Sequence, residues 1–418
     1  MCYKIPLSHL VTARALALRL RTTNKVVGPV RSGEDMAQLF IIVGWGLAGF
    51  SLLGALYALF AAVLVRRFMG ARAPSPQVRE PVTILKPLHG AEPGLFENLE
   101  SFCLQDHGAP VQIVFGVHDE SDPATFVVQA LQRRYPALDA VLVADDSIHG
   151  SNGKVSNLIN MQAAARHDIL VLADSDIAVS PRWLAQVTAA LARPGVGVVT
   201  CLYTGEVPRG ETGLWSRLAA MGTSYDFLPN VVVGTSLGLA APCFGSTIAL
   251  KRETLEEIGG FAAFADCLAD DYHMGRAVRE AGYTLSIPAL GVAHTAAEPS
   301  LGSLFRHEQR WRRTIHSLDP VGNAGSMVTF SFAFALLGGL LLHFAPIALA
   351  AMAVALAARL ILKLSIDRAF GAKAGPLWLL PLRDLLSFAV FVNSLFGETV
   401  HWRGARFEVA PTGAMSQI

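Results

Sequence analysis

Charge is scarce in this chain. Of its 418 residues only 16% are Asp, Glu, Lys or Arg, well below the roughly 25% of a soluble globular protein. Together with 52% hydrophobic residues and a mean hydropathy of +0.42, this excludes a wholly soluble domain and a disordered chain. A basic excess is missing too. Lys and Arg number 34 against 33 Asp and Glu, which speaks against nucleic-acid binding, where phosphates demand clustered cations. Cysteine is sparse and unpatterned: Cys2, Cys103, Cys201, Cys243 and Cys267 are odd in number, scattered, and form no CxxC pair. That excludes a disulfide framework and a structural zinc site, and it suits a reducing compartment. No internal repeat or low-complexity tract stands out.

What the chain has in place of charge is long apolar runs. Leu39 to Val65 carries no charge and is long enough to cross a hydrocarbon core of about 30 Å with tilt. It is too long for a signal peptide, and no small-residue cleavage site follows it. Arg66, Arg67, Arg72 and Arg79 come next, so the positive-inside rule puts the downstream side in the cytoplasm. Lys4, Arg14, Arg19, Arg21, Lys25 and Arg31 pull the other end inward as well. That conflict vanishes if translation begins at Met36. Residues 1–37 are therefore read as a mis-assigned start or a disordered extension, and 38–66 as a transmembrane helix.

Apolar sequence returns after residue 326. Met327 to Leu364, broken at His343 and Pro346, reads as two helices near 327–344 and 346–364. Pro376 to Phe396 is interrupted by Arg383 and Asp384, an adjacent pair costly at mid-bilayer. An interfacial or re-entrant helix is the first reading there and a short span the second. Residues 326–398 thus form a second membrane region, and 399–418 a cytoplasmic tail.

Between the two membrane regions, residues 80–320 have the composition of a soluble α/β domain. The runs PVTILK, QIVFGV, AVLVAD, DILVLAD and VGVVTCL alternate with helical patterns near 93–103, 123–135, 155–165 and 181–192. That is the rhythm of βαβ units around a parallel sheet. Such sheets carry their chemistry at the carboxyl ends of strands, where two acidic clusters fall. His118-Asp119-Glu120-Ser121-Asp122-Pro123 follows QIVFGV, and Asp174-Ser175-Asp176 follows DILVLA. Oxygen ligands of the DSD kind suit Mg²⁺ or Mn²⁺, which in turn bind a diphosphate; the bland reading is a pair of solvated turns.

Three further elements bear on chemistry. Asp270-Asp271 opens the helical pattern LADDYHMGRAVREAGY, where two acids suit either a helix start or a general base. Asn152-Gly153-Lys154-Val155-Ser156-Asn157 offers a cation and amides at another helix start, without the spacing of a P-loop. Arg306-His307-Glu308-Gln309-Arg310-Trp311-Arg312-Arg313 reads as a juxtamembrane anchor or as a clamp for a phosphorylated leaving group.

Taken in order, ILKPLHGAEPGLFENLESF, HDESDPA, NGKVSNL, DSD, LADDYHMGRAV and the RW element resemble the ceramide glucosyltransferase family over about residues 82–315. Within it, VTILKPLHGAEP, VQIVFGVHDESDPA and HEQRWRRTI look most like bacterial hopanoid-biosynthesis glycosyltransferases. The resemblance implies an α/β, GT-A (Rossmann-like) glycosyltransferase domain flanked by N-terminal and C-terminal transmembrane helices. It implies a multi-pass protein of the bacterial inner membrane with its catalytic domain in the cytoplasm. The implied reaction is inverting transfer of N-acetylglucosamine from UDP-N-acetylglucosamine to bacteriohopanetetrol; the alternative is UDP-glucose and ceramide.

The resemblance also assigns roles. Asp119, Asp122, Lys154, Asn157 and Asp174 would bind the donor, and Asp174 with Asp176 a divalent cation. Asp271 would be the base, and Arg310 and Trp311 the remaining catalytic pair. The residue three before Arg310 is His307, where the family carries Gln or Arg. A carboxylate with the ordinary pKa near 4 would already be ionised at pH 7, so no large shift at Asp271 is required. A transporter with a regulatory nucleotide domain and a polymer-extruding synthase are the competing classes; both need more spans than this chain supplies.

Overall fold

The computed structural model describes residues 34–72, 79–210 and 213–396, with the backbone of three short strands between 399 and 417. The extension at 1–33, and with it the question of a start at Met36, lies outside the described residues. The terminal strands β11 (Thr399–Trp402), β12 (Ala405–Val409) and β13 (Met415–Gln417) form a small antiparallel sheet of their own.

The β-branched runs between the membrane regions are strands. They are β1 (Val82–Pro87), β2 (Val111–Val117), β3 (Asp139–Ala144), β4 (Ile169–Leu172) and β6 (Val196–Val199). The helical patterns become α2 (Leu95–Cys103), α3 (Ala124–Arg134), α4 (Gly153–Gln162) and α5 (Trp183–Leu191). With β8 (Ile248–Lys251) and β9 (Thr284–Ser286) the strands form one seven-stranded sheet, order β3-β2-β1-β4-β8-β6-β9. Its first four strands run in the doubly wound 3-2-1-4 order, all parallel. Every residue of β1 is buried, as expected of a parallel strand covered on both faces.

The sheet is mixed rather than parallel, because β8 pairs antiparallel with both β4 and β6. The run VGVVTCL also does not continue as one strand. It breaks at Thr200, and β7 (Leu202–Glu206) joins β5 (Ile177–Ala178) and β10 (Gly291–Thr295) in a second, three-stranded sheet. That sheet starts one residue after the DSD turn. Its β5–β10 register sets His294 against Ile177, and Thr295 N–H donates to the Asp176 carbonyl at 2.7 Å.

The first membrane helix, α1 (Glu34–Met69), has 36 residues, or about 54 Å at ~1.5 Å per residue. It packs against α12 (Ser331–Leu341) and α13 (Pro346–Phe370). Small residues permit the approach: a Cβ on Gly338 of α12 would lie 2.9 Å from the Gly44 carbonyl oxygen of α1. Among the described residues three helices are long and apolar enough to cross a membrane: α1, α13, and the segment 377–394 that contains α14 (Leu380–Ser394). The span read near 327–344 is broken. A short helical segment at 320–329 meets α12 at a 63° bend, and α12 alone, at 11 residues, covers only about 16 Å.

The membrane helices are fused to the soluble domain, not tethered to it. One apolar cluster joins Ala58, Ala62 and Val65 of α1 and Leu362 of α13 to Leu218 of α6 (Leu214–Gly222), Val232 of α7 (Leu228–Ser236) and Leu304. The helix carrying the RW element, α10 (Leu301–Leu318), is thereby seated between α6 of the domain and α14.

Candidate active site

Four separated stretches meet at the carboxyl edge of β4. Lys154, in the first turn of α4, reaches Asp174 Oδ1 at 2.7 Å and Asp270 Oδ2 at 3.3 Å. Its position is set by Asn152, a buried N-cap whose side-chain oxygen accepts from the N–H groups of Lys154 and Val155. The Asn152 amide also donates to the Cys267 carbonyl at 2.8 Å, locking α4 to the turn that leads into α9 (Asp270–Glu280).

Gly245 joins the two catalytic carboxylate candidates. Its carbonyl accepts from Asp174 N–H at 3.0 Å, and its own N–H donates to Asp271 Oδ2 at 2.9 Å. A Cβ there would sit 2.3 Å from Asp174 Oδ2 and 2.9 Å from Lys154 Nζ, so only glycine lets the carboxylate and the ammonium close over it.

One ammonium therefore faces three carboxylates. Burial opposes the charge on Lys154, but Asp174, Asp270 and Asp271 outweigh it and hold the ammonium charged. Burial, reinforced by neighbouring Asp270, pushes Asp271 up to about 6, against the pull of Lys154 and the Gly245 and Tyr272 N–H bonds. Beneath the cluster, burial draws Lys86 down to about 7; its Nζ donates to the Asp174 carbonyl at 2.5 Å and rides 3.8 Å above the Phe102 ring centroid.

Asp176 points the other way. Its Oδ2 lies 3.2 Å from His294 Nε2, while its buried Oδ1 has no hydrogen-bond partner. Burial works against its charge, yet His294 pulls Asp176 below the usual carboxylate range. His294 in turn faces Trp311 at 5.8 Å between ring centroids, and Trp311 packs edge-on against His307 at 4.5 Å. His307 Nδ1 meets Glu298 Oε1 at 2.7 Å. The departure at His307 thus places a ring that braces Trp311. Arg310 precedes Trp311 on α10, half-buried.

Three of the expected donor residues lie in the surrounding frame. Asp122 accepts Gly90 N–H through both oxygens, at 2.9 and 3.0 Å, and Ala124 N–H at 2.8 Å. It thereby pins the turn after β1, where Gly90 has φ of 71°, a left-handed conformation that favours glycine. Asp119 is exposed and caps Ser121 N–H at 2.7 Å. Asn157 is buried, its amide donating to the Gly116 carbonyl at 2.8 Å while its Oδ1 stays unpartnered. Sequence reasoning passed over His294, Lys86 and Gly245. Only the pairing of β10 with β5 reveals the first, and only the side-chain packing the other two.

A divalent cation can be tested against this donor set. No group of three or more His, Cys, Asp or Glu side chains forms a complete protein cage among the described residues. Small hard cations use one or two carboxylates and complete their shell with phosphate oxygens and water. Asp174, 36% exposed, and the unpartnered Oδ1 of Asp176 fit that role, and the surplus of carboxylates over ammonium favours it.

Comparison with known proteins agrees with the ordered motifs. The profile of glycosyl transferase family 21 matches residues 46–415. Ceramide glucosyltransferase 1 of Caenorhabditis elegans is 27% identical over 290 residues, 66% of this chain and 61% of that protein. Ceramide glucosyltransferase of Komagataella phaffii is 35% identical over 147 residues, 34% of this chain and 28% of that protein. This chain thus spans about three-fifths or less of the length of these relatives. Among solved structures, mannosyltransferase PcManGT from Pyrobaculum calidifontis, in complex with GDP-Man and Mn²⁺, is 23% identical with a TM-score of 0.47, covering 85% of this chain and 99% of that one. With nearly nine-tenths of its length matched by one family profile, the chain belongs to glycosyl transferase family 21.

Proposed function

We propose that this protein transfers a hexose from a UDP-sugar to the hydroxyl of a membrane lipid, by a single inverting displacement at the anomeric carbon. The observation that carries the reading is the meeting of Lys154, Asp174 and Asp271 around Gly245, in a domain fused to helices able to cross a membrane. A lipid acceptor cannot leave the bilayer cheaply, at about 25 cal/mol per Å² of apolar surface, so the site must come to the membrane. The orientation implied by Arg66 and Arg67 puts that site in the cytoplasm, where UDP-sugars are made.

The residues divide the work. Asp271 takes the proton of the acceptor hydroxyl; a carboxylate raised to about 6 is still ionised at pH 7 and is a stronger base than an ordinary one. Lys154 and Arg310 supply donors where the diphosphate gains charge, an effect of about 3 kcal/mol per well-placed group. Asp174 and Asp176 would hold a Mg²⁺ or Mn²⁺ ion, which supplies Lewis-acid neutralisation of the leaving diphosphate. Trp311, braced by His294 and His307, gives the site an aromatic wall beside Asp176.

For the finer identities, the named relatives favour UDP-glucose and ceramide over the hopanoid pair. The likeness of VQIVFGVHDESDPA and HEQRWRRTI to hopanoid enzymes keeps N-acetylglucosamine and bacteriohopanetetrol as the second reading. The deciding experiment crosses UDP-glucose and UDP-N-acetylglucosamine with ceramide and bacteriohopanetetrol, using the full chain in detergent with and without a divalent metal. Metal-dependent product from UDP-glucose and ceramide supports the first pair. Absence of lipid-dependent UDP release in every combination overturns the transferase reading.

A further inference from the structure

The C-terminal end of α1 carries a feature that the transfer reaction does not use. A cleft of about 450 Å³ opens between that end and residues 287–289, which lead from β9 to β10. Leu64, Phe68 and Ile287 line it with apolar surface, and Arg67, Arg72 and Arg193 bring three guanidiniums to it from two distant parts of the chain. Every described ion pair involves other residues, so none of the three arginines has an acidic partner among the described residues. Three like charges gathered at one cleft repel one another, and the arrangement favours an anion to offset them.

Its depth says which anion. The exposed apolar stripe of α1 runs from Leu39 to Val63, the latter still 62% exposed. Arg67 follows one helical turn later, about 6 Å further along the axis. Arg67 thus stands just beyond the apolar stripe, the level at which lipid phosphates border the hydrocarbon, and Leu64 lies almost one helical turn inside it. The cleft is also separate from the carboxylate site. It abuts β9, the edge strand of the sheet, three strands from β4, or about 14 Å at ~4.8 Å per strand.

We propose that this cleft binds the phosphate of an anionic phospholipid. The forked N–H donors of arginine match phosphate oxygens, and the apolar wall lets the acyl chains leave along α1. A zwitterionic headgroup would add a fourth positive charge to the three present and is disfavoured. Arg66 is exposed but does not line the cleft, so a cleft site and a diffuse juxtamembrane charge predict different things for it. The inference concerns binding and stands whatever reaction the carboxylate site performs.

The test titrates the full chain in detergent with short-chain phosphatidylglycerol, phosphatidylcholine and inorganic phosphate, reading the thermal unfolding midpoint and lipid retention by native mass spectrometry. Phosphatidylglycerol is expected to bind at least tenfold tighter than the other two. Arg67→Gln combined with Arg193→Gln should weaken it at least tenfold, and Arg66→Gln less than twofold. Ala289→Phe, which fills the cleft without changing charge, should weaken it as strongly and decides the matter if the double variant does not fold. Equal binding of the two lipids overturns the proposal, as does an Arg66→Gln loss matching that of the Arg67→Gln, Arg193→Gln double variant, or phosphatidylglycerol binding that Ala289→Phe leaves unchanged. Inorganic phosphate binding as tightly as phosphatidylglycerol overturns the lipid assignment.

Discussion

Arg383 grips Glu308 through two parallel N–H···O bonds of 2.7 Å each, tying α14 to the helix that carries Trp311. The same guanidinium reaches Asp226 Oδ2 at 3.2 Å, and Asp226 Oδ1 accepts from Arg359 Nη2 at 2.5 Å. Arg359 then holds Asp384 through Nε at 3.0 Å to each oxygen. Arg383 and Asp384, adjacent in sequence, do not pair with each other. They bind opposite partners inside the protein, and both are 2% exposed.

Breaking that latch should unfold the junction between domain and membrane helices. Removing one partner of a buried ion pair costs about 3–5 kcal/mol because the other charge is left unpaired. Arg383→Ala is expected to lower the thermal midpoint in detergent by many degrees, and Arg383→Lys by less, since it keeps the charge and loses the fork. A midpoint unchanged by Arg383→Ala would show that the latch contributes nothing.

The raised Asp271 gives the reaction an acid limb. As pH falls through about 6 the base takes up its proton and kcat/KM should fall tenfold per unit; a bound cation moves the limb lower. Lys154 draws this carboxyl down, so Lys154→Met should move the limb to higher pH. Asp271→Asn should abolish transfer with UDP-sugar binding nearly intact, as read by calorimetry. Stability carries the corresponding sign. The folded state holds this proton more tightly than the unfolded chain, whose carboxylates titrate near pH 4, so the stability it contributes at low pH is lost as pH rises through about 6.

Two glycines separate function from folding. A Cβ on Gly245 would meet the mobile ends of Asp174 and Lys154, whereas one on Gly205 would meet the Ala220 backbone, its carbonyl oxygen at 2.4 Å. Gly245→Ala is therefore expected to fold with a near-normal midpoint and lose metal-dependent nucleotide binding. Gly205→Ala should cost roughly 1–3 kcal/mol of stability, the usual range for overpacking. Equal midpoint losses would remove the distinction.

The pattern of legibility follows from what each feature depends on. β1, β2 and α9 could be read from the chain because their apolar or acidic residues recur within one element. The antiparallel insertion of β8 could not, since a four-residue run carries no direction. Nor could the site of Arg359, whose acidic partners lie 25 and 133 residues away in sequence. The carboxylates of the candidate site were visible as motifs. His294 was not, because it stands beside Asp176 only through the β5–β10 register.

Asp122 is where motif and geometry lead to different experiments. As a donor ligand it would act on the UDP-sugar directly; in the structure its carboxylate accepts the Gly90 and Ala124 N–H groups, with His89 Nδ1 3.6 Å from Oδ2. Asp122→Ala would orphan both donors, at about 1–3 kcal/mol for an unsatisfied buried group, and free the turn after β1. The midpoint and the apparent donor affinity should then fall together, and Asp122→Asn, which keeps an acceptor oxygen for one of them, should recover part of both. A variant with weakened donor binding and an unchanged midpoint would instead make Asp122 a direct ligand. Asp174→Ala is the control, expected to lower metal-dependent donor binding and rate, because its Oδ1 meets the Lys154 ammonium and, among the described residues, its side chain pairs with no backbone N–H.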